Sequence, residues 1–82
     1  MHYLVVYDVS DNKTRGIVSN LLFKFGQRVQ LSCFEVELSP KELKALVEKI
    51  SKLIDPDSDC VIFYPLTENS LKQEIVISGE RP

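Results

Sequence analysis

Tyr3-Leu4-Val5-Val6-Tyr7-Asp8-Val9-Ser10-Asp11 decides the fold of this 82-residue chain. The run from Tyr3 to Tyr7 is apolar or aromatic at every position, so both alternating sides of an extended segment carry apolar groups. Such a run reads as a strand covered on both faces. Asp8 falls near its C-terminal end, where polar turn residues lead towards a helix. A carboxylate is rarely buried in a strand without a partner. Asp8 therefore either makes a local hydrogen bond at the turn or binds something.

Reading outward, Ser10, Asp11 and Asn12 are each able to cap a helix. Ile17, Val18, Leu21, Leu22 and Phe25 then recur on one helical face, with Arg15, Ser19 and Lys24 off it, and Gly26 is the expected stop. A short strand near 27–31 and a second near 33–38 follow, joined by a tight turn or bulge. In the second, Phe34, Val36 and Leu38 alternate with Glu35 and Glu37. Ser39-Pro40-Lys41-Glu42 has the form of a capping box with proline at the first helical position. Leu43, Leu46, Val47, Ile50, Leu53 and Ile54 give that second helix its apolar stripe, and Asp55-Pro56 ends it. Asp57-Ser58-Asp59 reads as a turn. Cys60 to Leu66 reads as a strand, stopped or placed at an edge by Pro65. Thr67 to Ser70 reads as a polar loop, 74–77 as a short fifth strand, and 79–82 as a tail.

The order βαββαβ, with a short extra C-terminal strand, is that of a ferredoxin-like α+β domain spanning residues 1–82. It predicts a four-stranded antiparallel sheet with two helices on one face. Because the first and fourth strands are apolar on both faces, the uncovered face calls for a second copy of the chain. The fifth strand is able to add to an edge of that partner. So small a chain gains burial readily by oligomerisation.

Composition excludes several chemistries. His2 is the single histidine, and Cys33 and Cys60 lack metal-knuckle spacing, so both cysteines read as small core residues. Three glycines form no phosphate loop, and no aromatic RNA-recognition consensus is present. No apolar run has membrane-spanning length and no leader precedes the first strand, which points to the cytoplasm. Net charge is −2. Residues 1–32 carry four Lys/Arg against two Asp, a net of +2, and residues 33–82 carry six Lys/Arg against ten Asp/Glu, a net of −4. Basic charge therefore surrounds the first strand, first helix and following turn, either as ordinary solvated surface charge or as a surface for nucleic acid.

What remains is Asp8, with Asp11 near it in sequence and Arg15 and Arg28 as cations. Mg²⁺ keeps several waters and takes one or two carboxylates plus phosphate oxygens. A two-fold dimer is able to bring two copies of Asp8 to one ion, which would polarise a phosphodiester and activate water.

Three blocks carry a resemblance: residues 3–11 with Arg15 behind them, Phe25 to Glu35, and Asp59 to Leu66. In order and spacing they resemble the small CRISPR-associated adaptation protein family, the second core family of that system. The resemblance implies a homodimer with an exchanged C-terminal strand. It also implies a role in CRISPR spacer acquisition beside an integrase subunit, and metal-dependent endonuclease activity on single-stranded RNA or duplex DNA. By match to the family motif, Asp8 is the catalytic Mg²⁺ ligand, Mn²⁺ being an alternative, with Tyr7 beside it. Arg15, Arg28, Ser32 and Phe34 match positions implicated around the groove that holds Asp8; the arginines would hold phosphates, or else Arg15 is helix-surface charge and Arg28 a turn residue, and Phe34 would stack there or belong to the core. Ile17 departs from the pattern, since some relatives carry an arginine there. A non-catalytic DNA-binding scaffold between integrase subunits is the alternative function, and a small-molecule regulatory domain of the same fold is a third.

Overall fold

The computed structural model describes residues 1–73 and 75. Its elements are β1 His2–Asp8, α1 Asn12–Phe23, β2 Gly26–Gln30, β3 Cys33–Glu37, α2 Pro40–Leu53, β4 Cys60–Leu66 and α3 Glu68–Lys72. The strands form one antiparallel sheet in the order β2-β3-β1-β4. This is the expected ferredoxin-like arrangement. Val5, Tyr7, Phe34 and Val36 project from one sheet face into a core with Val18, Leu21 and Leu22 of α1 and Leu46 and Ile50 of α2. Both long helices therefore cover the same side.

Local chemistry explains most element ends. Asp11 is the cap of α1, accepting from the Thr14 amide and hydroxyl at 2.8 Å each. Ser39 and Glu42 close the capping box of α2 reciprocally, at 3.1 and 2.9 Å. Val18, Leu21 and Leu22 bury the α1 stripe, whereas Ile17 at its margin is 38% exposed. β2 and β3 are joined by Leu31-Ser32, with Gln30 opposite Cys33 and a bulge between Arg28 and Gln30.

Four expectations change. Cys33 and Cys60, expected as small core residues, lie outside the core, Cys33 half-buried and Cys60 exposed, because they pair with Val6 and Asp8 of β1, which face away from the helices. Gly26 is not the cap of α1: Lys24 ends that helix in right-handed geometry, and Gly26 opens β2 opposite Val36. A β-carbon at Gly26 would lie 1.9 Å from the Glu35 carbonyl oxygen, so close backbone approach requires the glycine. Ser19, expected off the packed face of α1, is buried because Arg28 reaches over it from β2. The segment after β4 is not all loop, since Thr67 caps α3 by accepting from the Ser70 amide at 3.1 Å. The expected fifth strand at 74–77 lies outside the described residues except for Ile75, which is 84% exposed.

β4 is an edge strand, as Pro65 foretold. The sheet face away from the helices carries Leu4 and Val6 of β1 beside Tyr64 and Ile62 of β4. Val6, Ile62 and Tyr64 are 37%, 39% and 48% exposed.

Candidate functional site

The β1–α1 junction is tied down by three side chains. Arg15 Nη1 donates to the Val9 carbonyl at 3.0 Å, and Nη2 donates to Asn12 Oδ1. Asp59, which the sequence presents as part of a turn and as the start of the third resembling block, accepts from the Ser10 amide at 3.0 Å and its hydroxyl at 2.9 Å. Its other oxygen takes the Asp55 amide at 2.9 Å, joining the loop after β1 to the loop before β4. These amide bonds, Ser10 first, hold the Asp59 carboxyl below the usual carboxylate range, as the Thr14 bonds do for Asp11.

Beside this junction opens a groove of about 720 Å³ lined by Tyr7, Asn12, Arg15, Gly16, Ser19, Asn20, Phe23, Arg28, Leu31 and Ser32. Four sequence-predicted residues thus meet here: Tyr7, Arg15, Arg28 and Ser32. Tyr7 is a buried strut, its amide donating to the Ser32 carbonyl at 3.0 Å and its hydroxyl to the Leu31 carbonyl at 3.4 Å. Phe34 is wholly buried beneath the groove, with its ring 6.2 Å from that of Tyr7 and 4.7 Å from that of Phe23. Of the two roles weighed for Phe34, core packing is the one its burial supports.

Arg28 is the electrostatic centre of the groove. Its Nη2 donates to Ser19 Oγ at 2.8 Å, and its guanidinium carbon lies 5.2 Å from the Phe23 ring centre and 5.5 Å from that of Phe34. Its Nε is buried without a hydrogen-bond partner. Among the described residues, no carboxylate lies within ion-pair distance of Arg15 or Arg28. A half-buried guanidinium lacking a counter-ion presents planar donors suited to phosphate oxygens.

Asp8 is not in this groove. It is exposed, pairs in register with Cys60, and follows Tyr7, whose side chain enters the helix layer. Successive strand residues face opposite sides, so Asp8 projects on the uncovered apolar face. Among the described residues its carboxylate has no hydrogen-bond partner. The local turn bonds are made instead by Asp11 and Asp59. Among the described residues no group of three His, Cys, Asp or Glu is placed to hold a metal. Among the described residues, Asp8 therefore stands outside any such group. Its carboxylate fits Mg²⁺, which retains waters, only with ligands from a second chain or from phosphate.

A family model for CRISPR associated protein Cas2 matches residues 1–74. This chain belongs to that family. It is 43% identical over 80 residues to "CRISPR-associated endoribonuclease Cas2 1" of Archaeoglobus fulgidus, covering 96% of this chain and 85% of the relative. It is 39% identical over 64 residues to "CRISPR-associated endonuclease Cas2 2" of Thermus thermophilus, covering 78% of this chain and 71% of that protein. The crystal structure of Streptococcus pyogenes Cas2 at pH 6.5 superposes with a TM-score of 0.86 at 32% identity, over 94% of this chain and 99% of that one. A chain of a partial Cas6-RT-Cas1–Cas2 complex superposes with a TM-score of 0.79 at 35% identity, over 98% of this chain and 88% of that one. No described helix is long and apolar enough to cross a membrane.

Phe23 and Asp59 escaped the sequence reading. Phe23 left a signal, being an aromatic residue off the apolar stripe of α1. Asp59 left none that separates it from Asp55 and Asp57.

Proposed function

We propose that this Cas2-family chain is a metal-dependent endonuclease of CRISPR spacer acquisition, working as a homodimer beside an integrase subunit. The observation that carries it is the Asp8 carboxylate, exposed at the end of β1 without a local partner among the described residues. The names of the relatives support nuclease chemistry over the non-catalytic scaffold, and the Cas1–Cas2 assembly supports the integrase partner. The apolar side chains around Asp8 support pairing of two copies through this face, which would bring two Asp8 carboxylates together.

Asp8 from each copy would hold Mg²⁺, or Mn²⁺ in its place; the ion would supply polarisation of a phosphodiester and activation of water. Arg15 and Arg28 hold phosphates at the groove, on the other side of the sheet. They therefore position the bound strand and do not neutralise the phosphate being cut. The setting is the cytoplasm, where Cys33 and Cys60, both free thiols, stay reduced.

The test is cleavage of labelled single-stranded RNA and duplex DNA with Mg²⁺ and with EDTA, by wild type and Asp8→Asn. Metal-dependent cutting lost in the variant is expected, and the substrate that is cut fixes the class. No cutting of either by wild type, or equal cutting by the variant, overturns the assignment.

A further inference from the structure

Phe23 is 50% exposed and lines the same groove as both arginines. A large apolar ring is costly to leave in water, and the helix does not need it there: Val18, Leu21 and Leu22 already fill the core side of α1. Its place is nonetheless held. The Phe23 ring stands at 87° on the buried Phe34 ring, 4.7 Å between centres, and the Arg28 guanidinium sits over it at 5.2 Å. Arg28 is itself fixed by Ser19. An exposed aromatic ring braced from below and flanked by an uncompensated cation combines the two elements that bind single strands: a stacking platform and a phosphate contact. Asn12, Asn20 and Ser32 add hydrogen-bonding groups around it. The groove volume, about 720 Å³, is within the range of small-ligand clefts.

We infer that Phe23 is the stacking platform for one unpaired nucleobase of a single-stranded nucleic acid, whose adjoining phosphates lie on Arg28 and Arg15. This rests on the nucleic-acid reading above and narrows it to unpaired nucleotides at this groove. A duplex, with its bases stacked inside, would meet the arginines but not the ring.

The test is binding in EDTA, so that cleavage at Asp8 plays no part. Fluorescence anisotropy would compare wild type, Phe23→Leu and Phe23→Tyr on oligo-dT, oligo-rU, an abasic strand of equal length and a duplex. Leucine keeps apolar packing on Phe34 and loses the ring; tyrosine keeps the ring. The expected result is a loss of about tenfold in single-strand affinity for Phe23→Leu, the scale of one base–aromatic stack. Phe23→Tyr should retain affinity, and abasic and duplex binding should be unchanged. The ratio of oligo-dT to oligo-rU affinity tells DNA from RNA as the source of the base. Equal losses on intact and abasic strands, or no loss on either, overturn the inference. So does failure of wild type to bind any single strand, which leaves cleavage of a duplex through Asp8 intact. Thermal melts of each variant check the fold, and a Phe23→Tyr variant that melts like wild type but binds like Phe23→Leu also overturns it.

Discussion

The two faces of the sheet at the end of β1 differ in how their polar groups are used. On the helix side, Tyr7, Arg15, Ser19 and Arg28 are fixed by hydrogen bonds to Leu31, Val9 and Asn12, and each other. On the other side, one residue later, Asp8 stands exposed among apolar neighbours. A preorganised cationic groove is suited to holding a ligand from one chain alone. A lone carboxylate on an apolar face acquires a function only when something covers that face. The lesson is that binding and chemistry in this small protein can be separated by a single strand residue.

The sharpest break of that comparison is Asp8→Asn. It should reduce metal-dependent cleavage to the EDTA background while single-strand binding in the groove stays at the wild-type level. If groove binding falls as well, the two faces are not independent. Next, Val6→Asp would place a charge on the uncovered face opposite Ile62. It should convert the dimer to a monomer in light scattering and abolish cleavage, again with groove binding preserved. A variant that stays dimeric would show that the copies pair elsewhere.

Gly26→Ala probes the groove side. Its methyl group meets the Glu35 carbonyl and the Val36 α-carbon, at 1.9 and 2.7 Å, and backbone must move. Overpacking of this kind costs about 1–3 kcal/mol. For a chain of this size each kcal/mol corresponds to a fall of about 4–8 °C in Tm. Because β2 carries Arg28, single-strand binding should weaken before cleavage does.

The smallest effect concerns Asp59, which braces the loop next to both sites. Its folded pKa lies below the ordinary 3.8 because the Ser10 and Asp55 amides favour the carboxylate. Its contribution to stability is therefore fully present above the unfolded pKa and is lost as pH falls below 3.8 through the folded value. Asp59→Asn should lower Tm modestly at pH 7 and converge on wild type in acid, as seen in melts across pH 7 to 2. A constant difference at all pH values would mean that the carboxylate charge is irrelevant to the brace.

Much of the fold was written locally. The capping box at Ser39, Pro40 and Glu42, the alternation of Phe34 and Val36, and Pro65 at an edge each act within a few residues, so periodicity and capping chemistry suffice to read them. The short α3 carried a signal of the same kind, Thr67 followed by Ser70, and was missed because so short a helix has little periodicity. Gly26 after a helix suggests a cap, and only the approach of β3 shows that it is there because no side chain fits. At the site, Tyr7, Arg15, Arg28 and Ser32 line one groove, but without Asp8, which was expected to share it. Their separation from Asp8 follows from strand alternation once the helix-facing side of β1 is known.

By itself the sequence determined the order of elements, the apolar character of both sides of β1 and the residues able to carry charge to a phosphate. Those depend on side-chain type and on spacing along one chain. Only the tertiary structure decided that Arg28 lies against Phe23 and Ser19, that Asp59 and not Asp57 braces Ser10, and that Asp8 has no local bond among the described residues. Ser10 and Asp59 stand 49 residues apart, and Arg28 meets Ser19 and Phe23 only because the chain reverses from α1 into β2, so both sets of contacts depend on sheet register and helix packing and not on spacing along the chain.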